Sequence, residues 1–417
     1  MNKLIDILAE RRLFKVLTKK IKNFFPFLLK GVNNVLSLIA IEIIRSTTEV
    51  KNNEIVFVTS RGDYYCNCRA IADEILDQGL NYKLTWVIRK GTNTTIFPNK
   101  MKLVKRDSAN FYRAISSAKI IIDNSVNTSY MKYRKKSNQI FIETWHGSIG
   151  IKKANIESIN DKKWIRKAKE TAFLTDYCIS NSDFEDSVYK EDFWKTNTIL
   201  KYGHPRNDIL FSIHQQKQEK RKKLVCDYFQ IPEDSKICLY APTYRDTNNL
   251  SVYLLDYNSL IEALTLKFGG EWVIMTRMHF MTLKKMKKIK MPENVINANK
   301  FHDIQDLMLV ADVGITDFSS WICDFMLNKK PGFLYATDQD EYKDERGFYY
   351  PLSSLPFPVT DSIESLTDSI INFDNKKFQA DCENFLRDKG CIDDGRASER
   401  VVGKIKEIIE SRTYDSI

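Results

Sequence analysis

From Glu54 onward, short apolar runs rich in β-branched residues alternate with stretches whose apolar positions recur every three to four residues. IVFVTS comes first, then a helical pattern near Arg69 to Gln78, and after it LTWVIR, KLVKR, AKIIIDNS, QIFIETWHG and YCISNS. Nearly continuous apolar strands alternating with helices predict a parallel sheet covered on both faces. A second series follows in CLYAPTYRD, WVIMTRMH, NVINA, VGITDFSS and PGFLYA. The pattern therefore predicts two consecutive α/β domains facing each other across a cleft, over residues 49–210 and 225–417. The very polar helical run His214 to Lys223 marks the boundary, and Ile405 to Ile409 reads as part of a final helix.

Residues 1–48 follow a different rule. Eight lysines and arginines between Lys3 and Lys30 oppose only Asp6 and Glu10, interleaved with Leu4, Ile5, Leu8, Leu13, Phe14, Leu17 and Ile21. That pattern predicts a basic amphipathic helix lying on a membrane surface. A helical pair that only packs on the first domain is the competing reading. The apolar stretch Phe24 to Ile44 is interrupted by Pro26, Lys30, Asn33, Asn34 and Glu42, which are costly in a lipid-spanning helix. The long charged region and the lack of a small-residue cleavage site also argue against a cleavable signal peptide.

At 417 residues the chain exceeds one ordinary core, which agrees with two domains. Its 64 basic residues outnumber 54 acidic ones, giving a net charge of +10, so an anionic partner is expected. There is no aromatic-rich RNA signature, zinc-finger spacing or helix-turn-helix, and nucleic acid is not expected as a partner. The eight cysteines are scattered, some inside apolar runs, as reduced buried thiols of a cytosolic protein would be. Cys66 and Cys68 are too close for a metal-ligand pair and nothing completes a set, so no metal site is assigned.

Candidate chemistry gathers where strands end. Val310 to Ile315 runs into Thr316-Asp317-Phe318-Ser319-Ser320 and then an amphipathic stretch, a strand–loop–helix layout whose free N–H groups and hydroxyls suit a phosphate. N-capping by Asp317 or Ser319 explains the same letters without a ligand. Only five histidines exist, and two follow strand-like runs: His146, beside Gly147 in FIETWHGS, and His279 in VIMTRMHF. The carboxyl ends of strands are where open α/β sheets bind ligands. An imidazole at His146 could take a proton from an attacking hydroxyl, and Arg277 and His279, two apart on an extended segment, would face one phosphate. Thr243, Arg245 and Asp246 in APTYRD, Arg206 and Asn207 in GHPRND, and Arg346 in ERGF hold comparable positions. Turn and capping chemistry accounts for each of these alone, and their number is the argument.

Taken in order, TWHGS, GHPRND, APTYRD, RMH, DVGITDFSSWICDF, DEYKDERGFYY and DDGRASERV resemble the CDP-glycerol glycerophosphotransferase family, the teichoic-acid primases and polymerases and their capsule-synthesis relatives. The resemblance runs from about Glu54 to Val401. It implies two Rossmann-like domains in a glycosyltransferase-B-like fold, the first receiving the acceptor at the cytoplasmic face of a bacterial membrane and the second holding a CDP-linked donor. It also implies catalytic roles for His146 and His279. Asp317, Ser319 and Ser320 would grip the donor phosphates, with Thr243, Arg245 and Asp246 on a neighbouring loop. The implied reaction moves glycerol phosphate or ribitol phosphate from a CDP-alditol to an anionic polymer or lipid-linked glycan and releases CMP.

Two departures bear on the acceptor. Ser148 to Lys153 replaces the Thr-Pro-Leu-Lys-Lys of the best-known polymerases, and His204 stands where many members have tyrosine. A nucleotide-sugar glycosyltransferase of the same fold and a non-catalytic adaptor of a polymer-export complex are the competing functions. No cofactor is required by this reading. Asp312, Asp317 and Asp324 leave magnesium open, although strand, cap and helix positions explain their spacing equally well.

Overall fold

The computed structural model describes residues 37–411, apart from 126–132, 154–160, 192–193, 195–196, 233, 246–250, 254, 279–281, 283–291 and 293–294. Most of the amphipathic N-terminal segment, His279 and Asp246 therefore lie outside the described residues.

Seven strands form the first sheet: β1 (Lys51–Val58), β2 (Lys83–Ile88), β3 (Lys102–Lys105), β4 (Ala118–Asp123), β5 (Ile140–Glu143), β6 (Tyr177–Ser180) and β7 (Thr198–Lys201). Six form the second: β8 (Lys236–Tyr240), β9 (Trp272–Thr276), β10 (Val295–Asn297), β11 (Val313–Thr316), β12 (Gly332–Tyr335) and β13 (Val359–Thr360). The orders are β3-β2-β1-β4-β5-β6-β7 and β10-β9-β8-β11-β12-β13, with every pairing parallel. Each order reverses once, between β1 and β4 and between β8 and β11. Such a reversal opens a crevice at the strands' carboxyl ends, since the connecting helices leave in opposite directions.

The central strands are apolar because both faces are covered. All six residues of β4, AKIIID, are buried, and helices pack on either side. Side-chain caps start several of those helices. Ser108 accepts from the Phe111 N–H ahead of Ala109–Ser117, and Asp303 accepts from the Gln305 N–H ahead of Ile304–Val310. The polar interdomain helix spans Gln215–Phe229, longer than its charged run because Leu224, Val225 and Phe229 continue it.

The final helix, Ala397–Glu410, does not belong with the second domain, as the expected span 225–417 implied. Val401, Val402, Ile405 and Ile408 lie in one apolar cluster with Ile55, Ile71 and Ile120 of the first domain. The chain thus crosses back at its end. Polar contacts brace the two sheets as well. Arg69, on the helix Cys66–Asp77, meets Asp303 at 3.0 Å and Asp306 at 2.8 Å, and Arg221 joins Asp306 to Asp73 at 3.0 and 3.1 Å.

Candidate active site

The loop after β5 is built from inside the first sheet. Glu143 is fully buried, and its Oε1 accepts from the Trp145 N–H at 2.8 Å. Burial, and then the facing Asp123, push its carboxyl well above the usual range. Asn67 donates to the Thr144 and Trp145 carbonyls at 3.0 and 3.1 Å. These ties hold Trp145 at φ 51°, a left-handed conformation that a bulky residue seldom adopts. Cys66, at φ 63°, is a second strained residue on the same cavity wall.

The next residue is His146. Its Nδ1 lies 2.7 Å from the Asn124 carbonyl, which can only accept, so Nδ1 carries the proton and Nε2 keeps a lone pair. Protein packed around the ring, then the positive charges of Arg206 and Lys152, push its pKa down to about 4, against the hydrogen bond to Asn124. Water still reaches the ring from the cleft, and the direction is what matters: the imidazole is neutral at neutral pH.

His146 and Gly147 line a cavity of about 380 Å³ between the sheets. Trp145, Tyr189 and Trp194 form an edge-to-face cluster along one wall, while Ser319, Ser320 and Trp321 enter from the second sheet. Arg206 closes the floor. Its Nε donates to Asp324 at 2.9 Å and its Nη2 to the Gly147 carbonyl at 2.5 Å, so it fixes the histidine loop from below. Its Nη1 is buried with no hydrogen-bond partner among the described residues.

A second cavity, about 290 Å³, opens at the carboxyl ends of β8, β9 and β11 and is lined by Pro242, Thr243, Arg277, Ser319, Tyr342 and Arg346. The Thr243 hydroxyl and the Arg346 Nε are buried and without partners among the described residues. Arg277 donates to the Phe301 carbonyl at 2.8 Å and presents a cation to the space. Unspent donors and cations around a crevice at strand ends are what a diphosphate requires. The helix after Ser320 is only Trp321–Phe325, so it adds little dipole, and the anion site rests on side chains and loop N–H groups.

Several residues expected to grip phosphate lie one layer behind. Asp317 accepts from the Thr243 N–H at 2.8 Å and from the Phe318 N–H, and takes Arg245 at 2.9 Å. It ties two loops together, and a carboxylate there would repel an anion. Arg245 is saturated by Asp338, Asp317 and the Thr243 carbonyl, and is stacked between Phe318 and Tyr342 at 4.7 and 4.6 Å. Asn207 is fully buried against Asp324 and Asp393, behind the first cavity. His204 is also fully buried, its Nε2 2.8 Å from Glu185. Asp312, Asp317 and Asp324 each serve a different partner, and among the described residues no three His, Cys, Asp or Glu side chains gather as a metal set.

Two residues hold places in the site that the sequence did not assign them. Asp393 of the DDGR motif accepts from the His204 N–H, Asn181 and Asn207, so a residue near the C-terminus holds the first cavity's rear wall. Lys152 lines both cavities, and its position directly after the WHG loop was the available signal.

Two parallel α/β sheets with facing carboxyl ends, a histidine loop on one and a cation-lined cavity on the other, form a glycosyltransferase-B-like fold. The family described as CDP-Glycerol:Poly(glycerophosphate) glycerophosphotransferase matches residues 39–407, and the chain belongs to it. It is 29% identical over 378 residues to a teichoic acid poly(glycerol phosphate) polymerase of Staphylococcus epidermidis, covering 87% of this chain but 52% of that protein, so it spans about half the length of that relative. It is 28% identical over 362 residues to a teichoic acid glycerol-phosphate transferase of Staphylococcus aureus, covering 84% of this chain and 92% of that protein. The solved wall teichoic acid polymerase TagF superposes with a TM-score of 0.78 at 26% identity, covering 94% of this chain and 99% of that one.

Proposed function

We propose that this protein transfers an alditol phosphate, glycerol phosphate in the first place, from a CDP-alditol to a hydroxyl of a teichoic-acid-like or capsular polymer or its lipid-linked primer. The observation that carries the reading is the meeting of two cavities. One holds a histidine whose Nε2 is free to accept a proton, and the other gathers Thr243, Arg277 and Arg346 around a diphosphate-sized space. Residues 49–210 supply the acceptor side and the second sheet the donor side.

In the proposed step the acceptor oxygen gives its proton to His146 Nε2 and attacks the β-phosphorus of the CDP-alditol. A new O–P bond forms and the bond from that phosphorus to the oxygen bridging the α-phosphate breaks. CMP leaves as a phosphate monoester, which needs little protonation, so the protein's work is placement and charge stabilisation. Arg277, Thr243, Ser319 and Arg346 hold the diphosphate. Ser320 faces the acceptor cavity, and Arg206 fixes Gly147 and thereby His146. Arg245, Asp317 and Asn207 act by bracing these groups. His279, two residues beyond Arg277, is assigned to the same phosphates.

The protein works at the cytoplasmic face of the membrane in this reading. Helix 37–47, directly after the basic amphipathic segment, exposes Leu38, Ile39 and Ile43, and no helix among the described residues is long and apolar enough to cross a bilayer. Co-flotation with anionic vesicles, lost on deleting residues 1–44, tests that part.

The reaction is tested by CMP release from CDP-glycerol or CDP-ribitol with a phosphoglycan acceptor. Acceptor-dependent CMP from one donor, absent in His146→Ala, is the expected result and names the alditol. A nucleoside diphosphate released from a nucleotide sugar, with no CMP from either alditol, would overturn the reading.

A further inference from the structure

The loop that follows His146 starts on the first sheet yet is positioned by the second. Lys152 pairs antiparallel with Phe348, flanked by hydrogen bonds from the Lys153 N–H to Gly347 O at 3.1 Å and from the Tyr349 N–H to Ile151 O at 2.9 Å. Ile149 and Ile151, on either side of Gly150, are 1% and 0% exposed and belong to the second domain's core. A side chain on this loop is therefore placed with the accuracy of a strand residue.

That side chain stands where the two cavities meet. Lys152 lines both, together with Ile304, Ser319 and Trp321. The carboxylate closest in influence is Asp317, which Arg245 already binds at 2.9 Å. Among the described residues Lys152 has no ion-pair partner within 4.0 Å. An ammonium held without a counter-ion at a cavity junction is expensive unless a charge arrives there.

We propose that Lys152 contacts the phosphoryl group in transit, meeting the charge that develops as it passes from the donor cavity to the acceptor hydroxyl. The inference rests on the phosphotransferase reading. During attack, negative charge spreads over the non-bridging oxygens of the β-phosphorus and onto the oxygen departing with CMP. The ammonium donates hydrogen bonds to these oxygens, and no proton transfer from it is needed. The resting diphosphate is held by Arg277, Thr243 and Arg346, so the lysine acts on turnover more than on donor binding.

Lys152→Met keeps the stem and the backbone pairing, while Lys152→Arg keeps the charge. With the CDP-alditol that the wild type turns over, Lys152→Met should lose on the order of 100-fold in kcat, as loss of one electrostatic donor typically does. Its KM for the donor should change by less than about three-fold, and Lys152→Arg should recover at least about ten-fold over Met, the split expected of a group acting in the transition state. Turnover of Lys152→Met within about three-fold of wild type, a loss confined to KM, or an Arg variant no better than Met would each overturn the proposal. Wild-type CMP release abolished by His146→Ala secures the underlying reading independently. Absence of wild-type CMP release would sink that reading, and this inference with it.

Discussion

Arg206 offers a prediction that separates support from chemistry. It is 5% exposed, forks onto Asp324 through Nε and Nη2 at 2.9 and 3.3 Å, and holds the Gly147 carbonyl. Arg206→Met removes the cation and leaves the Asp324 carboxylate, 4% exposed, with only Asn207 at 3.0 Å and a long contact from Gln305 at 3.4 Å among the described residues. Breaking one side of a buried ion pair costs about 3–5 kcal/mol. At about 2 °C per kcal/mol for a large domain, the thermal midpoint should fall by roughly 6 °C or more. The double variant Arg206→Met/Asp324→Leu removes the stranded charge and should recover most of that loss, since apolar replacements of buried pairs are often neutral. It should not recover activity, because the Gly147 carbonyl has still lost the guanidinium that holds the loop after His146. Scanning calorimetry and CMP release on the same samples test both halves. A midpoint within about 1 °C of wild type for Arg206→Met would refute the buried-pair argument, and a double variant with wild-type turnover would refute the positioning one.

Three further outcomes follow from the same geometry. His146 must be neutral to act as a base, and its pKa lies below the ordinary histidine value, so kcat/KM should stay level as pH falls through about 6.5 and decline only below it. The bound diphosphate adds negative charge and should move the corresponding limb of kcat to higher pH; a kcat/KM limb centred at the ordinary value would contradict the assignment. Lys152 is held down to about 8, by burial first and then by Arg346 and Arg245, against Asp317 and with His146 across the cavity. It is charged below that pH and loses its charge above it, so turnover should fall as pH rises through about 8, and this limb should move upward in Lys152→Arg; an unmoved limb would show that another group titrates. At Gly314 an added Cβ would lie 2.8 Å from the Phe325 ring and 3.1 Å from that of Trp321. Gly314→Val should therefore cost about 1–3 kcal/mol and weaken donor binding by displacing the segment after Ser320, as calorimetry and CDP-alditol titration would register; unchanged binding would separate that packing from the site.

Period was a reliable guide to this chain where local pattern decides structure. The long apolar runs appear as strands, although β1 begins four residues before IVFVTS, because a strand buried on both faces needs no partner to be recognised. TILK at β7 and the two-residue β13 carry too little pattern to stand out. Among the candidate residues, His146, Thr243, Arg277 and Ser319 do line the cavities, because topology directs strand ends to the crevice. What pattern could not distinguish was contact from support: Arg245 and Asp317 sit in the right loops, yet pair with each other rather than face the cavity. Nor could it place Asp393 behind Asn207, a contact across 186 positions of chain. The place of Lys152 at the junction of the cavities was hidden for a related reason. Its position depends on the buried flanks Ile149 and Ile151 and on pairing with Phe348, a partner nearly two hundred residues away.

The return of the last helix to the first sheet sets an order of events during synthesis. Val401 to Ile408 complete a core whose earliest strand is finished some 340 residues earlier on the ribosome. The N-terminal half cannot mature as an independent unit and then wait for its neighbour, as consecutive domains commonly do. Its apolar face stays uncovered until residues 401–408 have been made, so the second sheet, encoded between them and β1, can close before the half expected to face the membrane is complete.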